Sequence, residues 1–150
     1  MDIQTAHFGV VEIDDKKIIN FENGLPGLEE NKRFVLLASE ESKPICWLQS
    51  LDHTEISLPV IDPFKIYSDY SFDISQEDIN ALEIEQIKDI YVLNVLRIPK
   101  SLESMTINLL APIIINVRNS KARQIILDDK KYGVRVPVIE LLRKTMSEDG

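Results

Sequence analysis

Residues 106–116, Thr-Ile-Asn-Leu-Leu-Ala-Pro-Ile-Ile-Ile-Asn, constrain the fold more than any other part of the chain. Seven of these eleven residues are aliphatic or Ala and none is charged, which is typical of a strand buried on both faces. Because a proline has no N–H to donate to a sheet, we predict a break or bulge at Ala111 and Pro112 that divides one long strand into two. Asn108 and Asn116 bracket this break and can satisfy the backbone groups left open there. The two strands are expected to lie at the centre of the fold.

Short strands separated by turn residues dominate the remaining sequence. Alternating apolar and polar residues over 66–72 predict a strand, as does the run 123–127. The apolar strand at 45–50 carries Trp47, which we expect to be a core residue. One helical turn is expected at 29–32. Nine to ten strands with one or two short helices predict a mainly β, single-domain fold, an antiparallel β-barrel-like or sandwich structure.

Two segments carry signals for helices. Ser75 can cap a short helix from Gln76 to about Leu82, with acidic residues in its first turn. Pro137 suits a first helical position, and the apolar stripe after it predicts a C-terminal helix with a loose tail. We therefore divide the chain into a β domain of residues 1–137 and a helical extension and tail of residues 138–150.

The overall composition is that of a globular domain. The 150 residues suit one core, with 44% hydrophobic and 28% charged residues. No apolar run approaches the roughly 20 residues of a membrane-spanning helix, and no secretory signal opens the chain. The single cysteine cannot form an internal disulfide. These features predict a soluble cytoplasmic protein that does not associate with a membrane.

The negative charge is concentrated in the first half of the chain. Residues 1–75 hold 14 acidic and 6 basic side chains, whereas residues 76–150 hold 11 of each. Such a surface repels phosphate backbones, so direct binding of nucleic acid is disfavoured. It would instead steer a basic protein partner towards the molecule.

No catalytic, cofactor-binding or metal-binding apparatus is predicted. The five glycines do not form a phosphate-binding loop. His7, His53 and Cys46 lack the spacing of a zinc site, and Cys46 lies in an apolar strand where an inert thiol is expected. We therefore expect a non-enzymatic binding protein. One alternative is a β-barrel that binds a small molecule in a pocket lined by Trp47 and Tyr91, which a packed barrel interior would argue against.

Several sequence motifs occur together along the chain. In order they are Thr5, Phe8-Gly9, Glu12, Gly-Leu-Pro-Gly-Leu-Glu at 24–29, Phe34, Pro44, Trp-Leu-Gln-Ser at 47–50, and Thr-Ile-Asn-Leu-Leu-Ala-Pro-Ile at 106–113 followed by Asn116. In this order and spacing they resemble the FliW family of bacterial flagellar assembly factors. The resemblance runs from about Ile3 to Pro137. Leu28 stands where we expect Phe in many members.

The resemblance implies a regulator of flagellum biogenesis with two protein partners. One is flagellin, the filament subunit, towards which a family member acts as a chaperone. The other is CsrA, a small RNA-binding dimer that represses flagellin translation. After flagellin is exported, the released family member binds CsrA and relieves the repression by allosteric antagonism, without imitating RNA.

The partner-binding residues are predicted from charge and apolar surface in rigid loops. Gly24, Gly27 and Pro112 are expected to serve the structure. For the surface facing CsrA we select Glu22, Asn23, Leu25, Glu29 and Glu30. Gln49 and Ser50 are expected either to bind a partner or to support the fold.

Overall fold

A computed structural model describes residues 1–128 and 130–149. Its strands are β1 (Asp2–Gln4), β2 (Val10–Glu12), β3 (Ile19–Phe21), β4 (Arg33–Leu37), β5 (Cys46–Ser50), β6 (Ser57–Ile61), β7 (Ile90–Arg97), β8 (Thr106–Ile107), β9 (Ile113–Asn116), β10 (Lys121–Gln124) and β11 (Val136–Pro137). The α-helices in this part of the chain are α1 (Gln76–Leu82) and α2 (Val138–Asp149).

Seven of these strands close into a barrel. Their order is β7-β6-β5-β4-β3-β10-β9, and β9 pairs back with β7. The β10–β3 pair is parallel, whereas the other pairs in the barrel are antiparallel. Strands β8 and β11 extend the sheet beyond β7, and β1 and β2 form a separate hairpin. The predicted mainly β, barrel-like fold with two helices is confirmed.

The barrel interior is filled by apolar side chains. Phe21 and Phe34 meet edge to face at its centre, with ring centroids 5.2 Å apart. The other buried members of this cluster are Ile19, Leu25, Leu48, Val60, Leu93, Ile113, Ile115 and Ala122. A barrel of this size has an interior just wide enough for its own side chains. These residues form one packed core rather than a ligand cavity.

The predicted break at Pro112 is confirmed, and both halves of the divided strand pair with β7. Leu93 lies opposite Ile113 and Leu96 opposite Ile107. Between these two pairs β7 has two residues, whereas the divided strand has five, 108–112, which form a bulge. Within the bulge, the Asn108 side-chain oxygen accepts hydrogen bonds from the N–H groups of Leu110 and Ala111, at 3.0 and 3.1 Å.

The strand predicted at residues 66–72 is absent. Pro63 begins a 3-10 turn, and its carbonyl accepts a hydrogen bond from the Tyr67 N–H at 2.9 Å. A further turn lets Tyr70 enter the core, where its hydroxyl donates to the Leu109 carbonyl in the bulge at 2.6 Å. The turns bury Ile66 and Tyr70, which are four residues apart, and leave Ser68 between them exposed, so the alternation in the sequence does not correspond to the alternating burial of a strand.

Two further predictions of secondary structure need correction. Residues 29–32 do not form a helix: the Asn31 N–H donates to the Leu28 carbonyl within the loop, and the Lys32 N–H donates to the Asp52 carboxylate outside it. The strand predicted at 123–127 begins earlier, as β10 (Lys121–Gln124), and its last residues pair irregularly with the bulge. The irregular pairing follows from Pro112, which offers a carbonyl but no N–H.

Trp47 is not a core residue, contrary to the prediction. It is half-buried on the outer face of β5, where its ring packs against that of His7 at a tilt of 36°, with ring centroids 4.1 Å apart. Its neighbours Cys46 and Leu48 face the barrel interior. Side chains of a strand alternate between the two faces, so these inward neighbours place Trp47 outside.

Both predicted helices are present, but α2 continues to Asp149, whereas the sequence predicts a loose tail from Ser147. The Ser75 hydroxyl accepts a hydrogen bond from the Asp78 N–H at 3.1 Å and caps α1, which ends at Glu83 in the left-handed conformation. Helix α2 begins directly after Pro137 and buries Leu141 against the cluster that contains Tyr70. Among the described residues, no helix is long and apolar enough to cross a membrane. The division of the chain after residue 137 stays a prediction.

Candidate functional site

The loop that joins β3 to β4, residues 22–32, closes one end of the barrel. Its centre is a type II turn, in which the Leu28 N–H donates to the Leu25 carbonyl at 2.8 Å. Pro26 and Gly27 occupy the two central positions, and Gly27 has a φ of +84°. Gly24 has a φ of +69° and lies so close to Glu29 that a Cβ would be 2.4 Å from its carbonyl oxygen. The Gly-Leu-Pro-Gly motif therefore specifies a compact, rigid loop.

Four of the predicted partner-binding residues lie on the outside of this loop. Glu22, Asn23, Glu29 and Glu30 are exposed. The Gly27 N–H donates to the Glu29 carboxylate at 3.0 Å, and this hydrogen bond lowers the pKa of Glu29. The loop thus presents ionised carboxylates on a backbone held in one conformation.

Leu25 is not on this surface, because it is 2% exposed and packs into the barrel core. Gln49 and Ser50 are also buried, and their polar atoms are used inside the molecule. The Ser50 hydroxyl donates to the Asn31 side chain at 2.6 Å. The Gln49 amide accepts from the Ala6 N–H at 3.0 Å and donates to the Thr54 carbonyl at 2.8 Å. In the free protein these side chains support loops, and only the exposed members of the predicted set are open to a partner.

Asp52 ties the end of this loop to the following hairpin. Its carboxylate accepts hydrogen bonds from the N–H groups of Lys32 and Arg33 at 2.8 and 2.9 Å, and from the Arg33 guanidinium at 3.1 Å. Partial burial on its own would raise the pKa of Asp52, but these hydrogen bonds together outweigh it and lower the pKa. The ionised form of Asp52 therefore stabilises the folded loop.

We expect Asp52→Ala to lower the free energy of unfolding by about 1–2 kcal/mol at pH 7. A depressed carboxyl pKa stabilises the fold above the unfolded value of about 3.9, and this contribution is lost as the pH falls through the folded value. Urea unfolding of both proteins at pH 7 and near pH 3 should show the difference shrinking in acid. Glu41→Ala, at an exposed turn residue, is the control. If the stability difference between Asp52→Ala and the wild type were the same at both pH values, the stabilising role of the ionised Asp52 carboxylate would be contradicted.

An apolar groove lies at the same end of the barrel, with a volume of about 390 Å³. It is lined by Leu25, Pro26, Leu28, Leu58, Val95, Asn108, Leu110, Ala111, Gln124, Ile126 and Val134. Ile126 and Val134 at its lip are 70% and 53% exposed. The groove brings the Gly-Leu-Pro-Gly loop together with the bulge, two of the motifs that are far apart in the sequence. Large exposed aliphatic side chains beside a preformed depression are typical of protein-binding surfaces.

An acidic cleft of about 1040 Å³ adjoins the apolar groove and shares Pro26, Gln124 and Ile126 with it. Five carboxylates line the cleft, from Glu29, Asp73, Glu77, Asp78 and Asp128. Its cationic side chains are Arg123 and Lys131. The Arg123 guanidinium is 2.8 Å from the Asp78 carboxylate, so this ion pair is satisfied internally. The cleft therefore carries an excess of negative charge.

Sequence reasoning did not find Ile126 and Val134. Nothing in the Arg-Gln-Ile-Ile-Leu pattern at 123–127 indicates which isoleucine is exposed, because that depends on the elements packed on each side. The proposed ligand pocket of Trp47 and Tyr91 is also not assembled. Trp47 is on the outer face, whereas Tyr91 packs against the barrel core. In the described part of the chain, no cluster of three His, Cys, Asp or Glu side chains is arranged to hold a metal ion.

The fold and these surfaces define a small closed β-barrel with a packed interior and accessible clefts around one end. The sequence profile of the FliW protein family matches residues 2–138. The chain therefore belongs to the FliW family of flagellar assembly factors.

Individual relatives extend over nearly the whole chain. The flagellar assembly factor FliW of Thermoanaerobacter pseudethanolicus is 40% identical over 148 residues, which are 98% of this chain and 99% of that protein. The Bacillus pumilus protein of the same name is 42% identical over 135 residues, 90% of this chain and 94% of its own. A crystal structure of the flagellar assembly factor FliW superimposes with a TM-score of 0.88 at 33% identity, covering 92% of this chain and 96% of that one.

Proposed function

We propose that this chain is a non-enzymatic, cytoplasmic regulator of flagellum assembly that binds two proteins in turn. While flagellin is present, the chain binds it as a chaperone. When flagellin has been exported, the chain binds CsrA and relieves its repression of flagellin synthesis. The antagonism is allosteric, at a surface of CsrA away from its RNA site.

The observation that supports this proposal most is the pairing of the apolar groove with the acidic cleft at one end of the barrel. Apolar surface supplies affinity for a protein partner, while excess negative charge attracts a basic one. An RNA-binding partner such as CsrA carries positive charge and would be steered to this end. The same charge repels RNA itself, in agreement with a regulator that acts on the repressor protein.

Titration calorimetry tests the partner switch directly. The chain is titrated with CsrA from the same organism, first alone and then with flagellin present in excess. The proposal expects binding to CsrA that flagellin abolishes. Binding to CsrA that flagellin leaves unchanged would contradict the switch, and an absence of binding to either partner would contradict the assignment of partners.

Reversing the loop charges should slow association with CsrA. We expect the double variant Glu29→Lys, Glu30→Lys to associate about tenfold more slowly at low salt, and its rate to depend less on salt, because both carboxylates are exposed. Stopped-flow mixing over a range of salt concentrations measures both effects.

A matched control is available at the other end of the same strand. Glu40 and Glu41 are exposed and follow β4, whereas Glu29 and Glu30 precede it. Glu40→Lys with Glu41→Lys makes the same change in net charge and should alter the rate much less. Equal slowing by the two double variants would mean that only net charge matters, and the placement of the site at the loop would fail.

A further inference from the structure

Strand β10 continues as an extended segment beyond its last regular residue. The Ile125 N–H donates to the Pro112 carbonyl at 3.0 Å, and the Leu127 N–H donates to the Leu110 carbonyl at 2.8 Å. In an antiparallel pair, successive residues direct their backbone groups to opposite sides. The N–H and C=O of Ile126 therefore point away from the bulge, as do those of the residues two positions before and after it.

No strand of the described chain occupies that other side. The ladder between β3 and β10 ends at the pair of Ala122 with Phe21. The chain then turns away, because the Gly24 N–H bonds back to the Phe21 carbonyl at 3.0 Å. Within the described residues no hydrogen bond uses the Ile126 backbone on this side, and Ile126 is 70% exposed. Residues 124–128 thus form an open sheet edge.

The open sheet edge is one wall of the acidic cleft. Four residue steps of extended chain span about 13 Å, enough for a short strand to lie beside the edge. Four of the five carboxylates of the cleft form no ion pair within the described residues, those of Glu29, Asp73, Glu77 and Asp128. An incoming strand with basic side chains would compensate this charge, whereas an acidic strand would be repelled.

We propose that the open sheet edge binds an extended, basic segment of a protein partner as an added β-strand. Backbone hydrogen bonds to Ile126 hold the segment, and its basic side chains meet the carboxylates of the cleft. Apolar side chains on its other face contact the lip of the apolar groove. This inference rests on the proposed function only in requiring a protein partner, and it specifies how that partner is recognised.

The test uses a labelled heptapeptide of alternating lysine and valine, with both ends blocked, and measures its binding by fluorescence anisotropy. Wild-type protein should bind it, and Ile126→Pro should weaken binding at least tenfold, because proline removes an N–H that has no internal partner. Ile126→Val retains the N–H and should change binding less than about threefold. Since residue 126 is exposed, thermal melting should show that the wild type, Ile126→Pro and Ile126→Val are all folded.

Two altered peptides separate the contribution of the basic side chains from that of the backbone hydrogen bonds. Replacing lysine by glutamate should abolish binding, and N-methylation of the backbone should do so without changing the charge. If the wild type does not bind the lysine–valine peptide, or if Ile126→Pro binds it equally well, the strand-addition proposal is overturned. The proposed function is judged separately, by calorimetry with flagellin and CsrA. If sedimentation velocity showed that the wild type is a dimer and that Ile126→Pro is a monomer, a second copy of this chain would occupy the open sheet edge. That result would also overturn the proposal.

Discussion

The Gly24→Ala variant is expected to lose about 2–5 kcal/mol of stability. A residue with a side chain at a φ of +69° is strained by about 1–2 kcal/mol. The added methyl group would also be 2.4 Å from the Glu29 carbonyl oxygen, a contact that only a backbone shift can relieve. Overpacking of this kind costs about 1–3 kcal/mol. For a chain of this size the melting temperature should fall by roughly 5–20 °C.

The loop contains its own control for the steric part of this effect. Gly27 has a φ of +84°, but a Cβ there would meet nothing within 4 Å. Gly27→Ala should therefore cost only the conformational strain of about 1–2 kcal/mol. Denaturant unfolding of the two variants measures the difference between them. Equal stabilities would mean that the loop relaxes freely around Gly24, and that its close approach to Glu29 is not needed.

The second large effect is expected at Phe34. Phe34→Ala should lower the free energy of unfolding by about 3–5 kcal/mol, because the ring is fully buried at the centre of the barrel and packs edge to face on Phe21. Such a loss is a large part of the total stability of a typical domain. Urea unfolding measures the loss.

Trp47→Ala is the informative comparison, because the sequence predicts a core position for Trp47, and truncating a core tryptophan would also cost about 3–5 kcal/mol. The structure places this side chain half-buried on the outer face, in contact with His7. We therefore expect a loss of about 1–2 kcal/mol, from partial burial and the ring contact. A loss as large as that of Phe34→Ala would mean that Trp47 contributes to the core after all.

Local chemistry explains the predictions that the structure confirms. A proline cannot donate to a sheet, so the break at Pro112 follows from one residue type, and Asn108 satisfies the neighbouring N–H groups within three positions. Ser75 caps α1 in the same local way, and α2 begins after Pro137. Each of these features depends on groups a few residues apart, which the sequence displays directly.

The predictions that failed concern which face of an element is covered. The alternating residues over 66–72 predict a strand, whereas the packing of Tyr70 against the bulge selects a series of turns. Trp47 is the largest apolar residue of β5, yet the strand's alternation places it outside because its neighbours face the barrel. For Gln49 the sequence leaves both a partner-binding and a structural role open, and in the structure it is buried and its side-chain oxygen accepts from the Ala6 N–H in the loop of the first hairpin.

The sequence by itself determined the many short strands, the two helices, the rigid loop at Gly24 and Gly27, and the family to which the chain belongs. The tertiary structure decided how the barrel closes and where its surface stays open. The backbone of Ile126 is left open because β3 ends opposite Ala122, and this depends on a parallel pair formed by residues about 100 positions apart. Whether two such distant segments pair depends on the apolar surface buried over the whole molecule, so no local sequence pattern specifies the pairing.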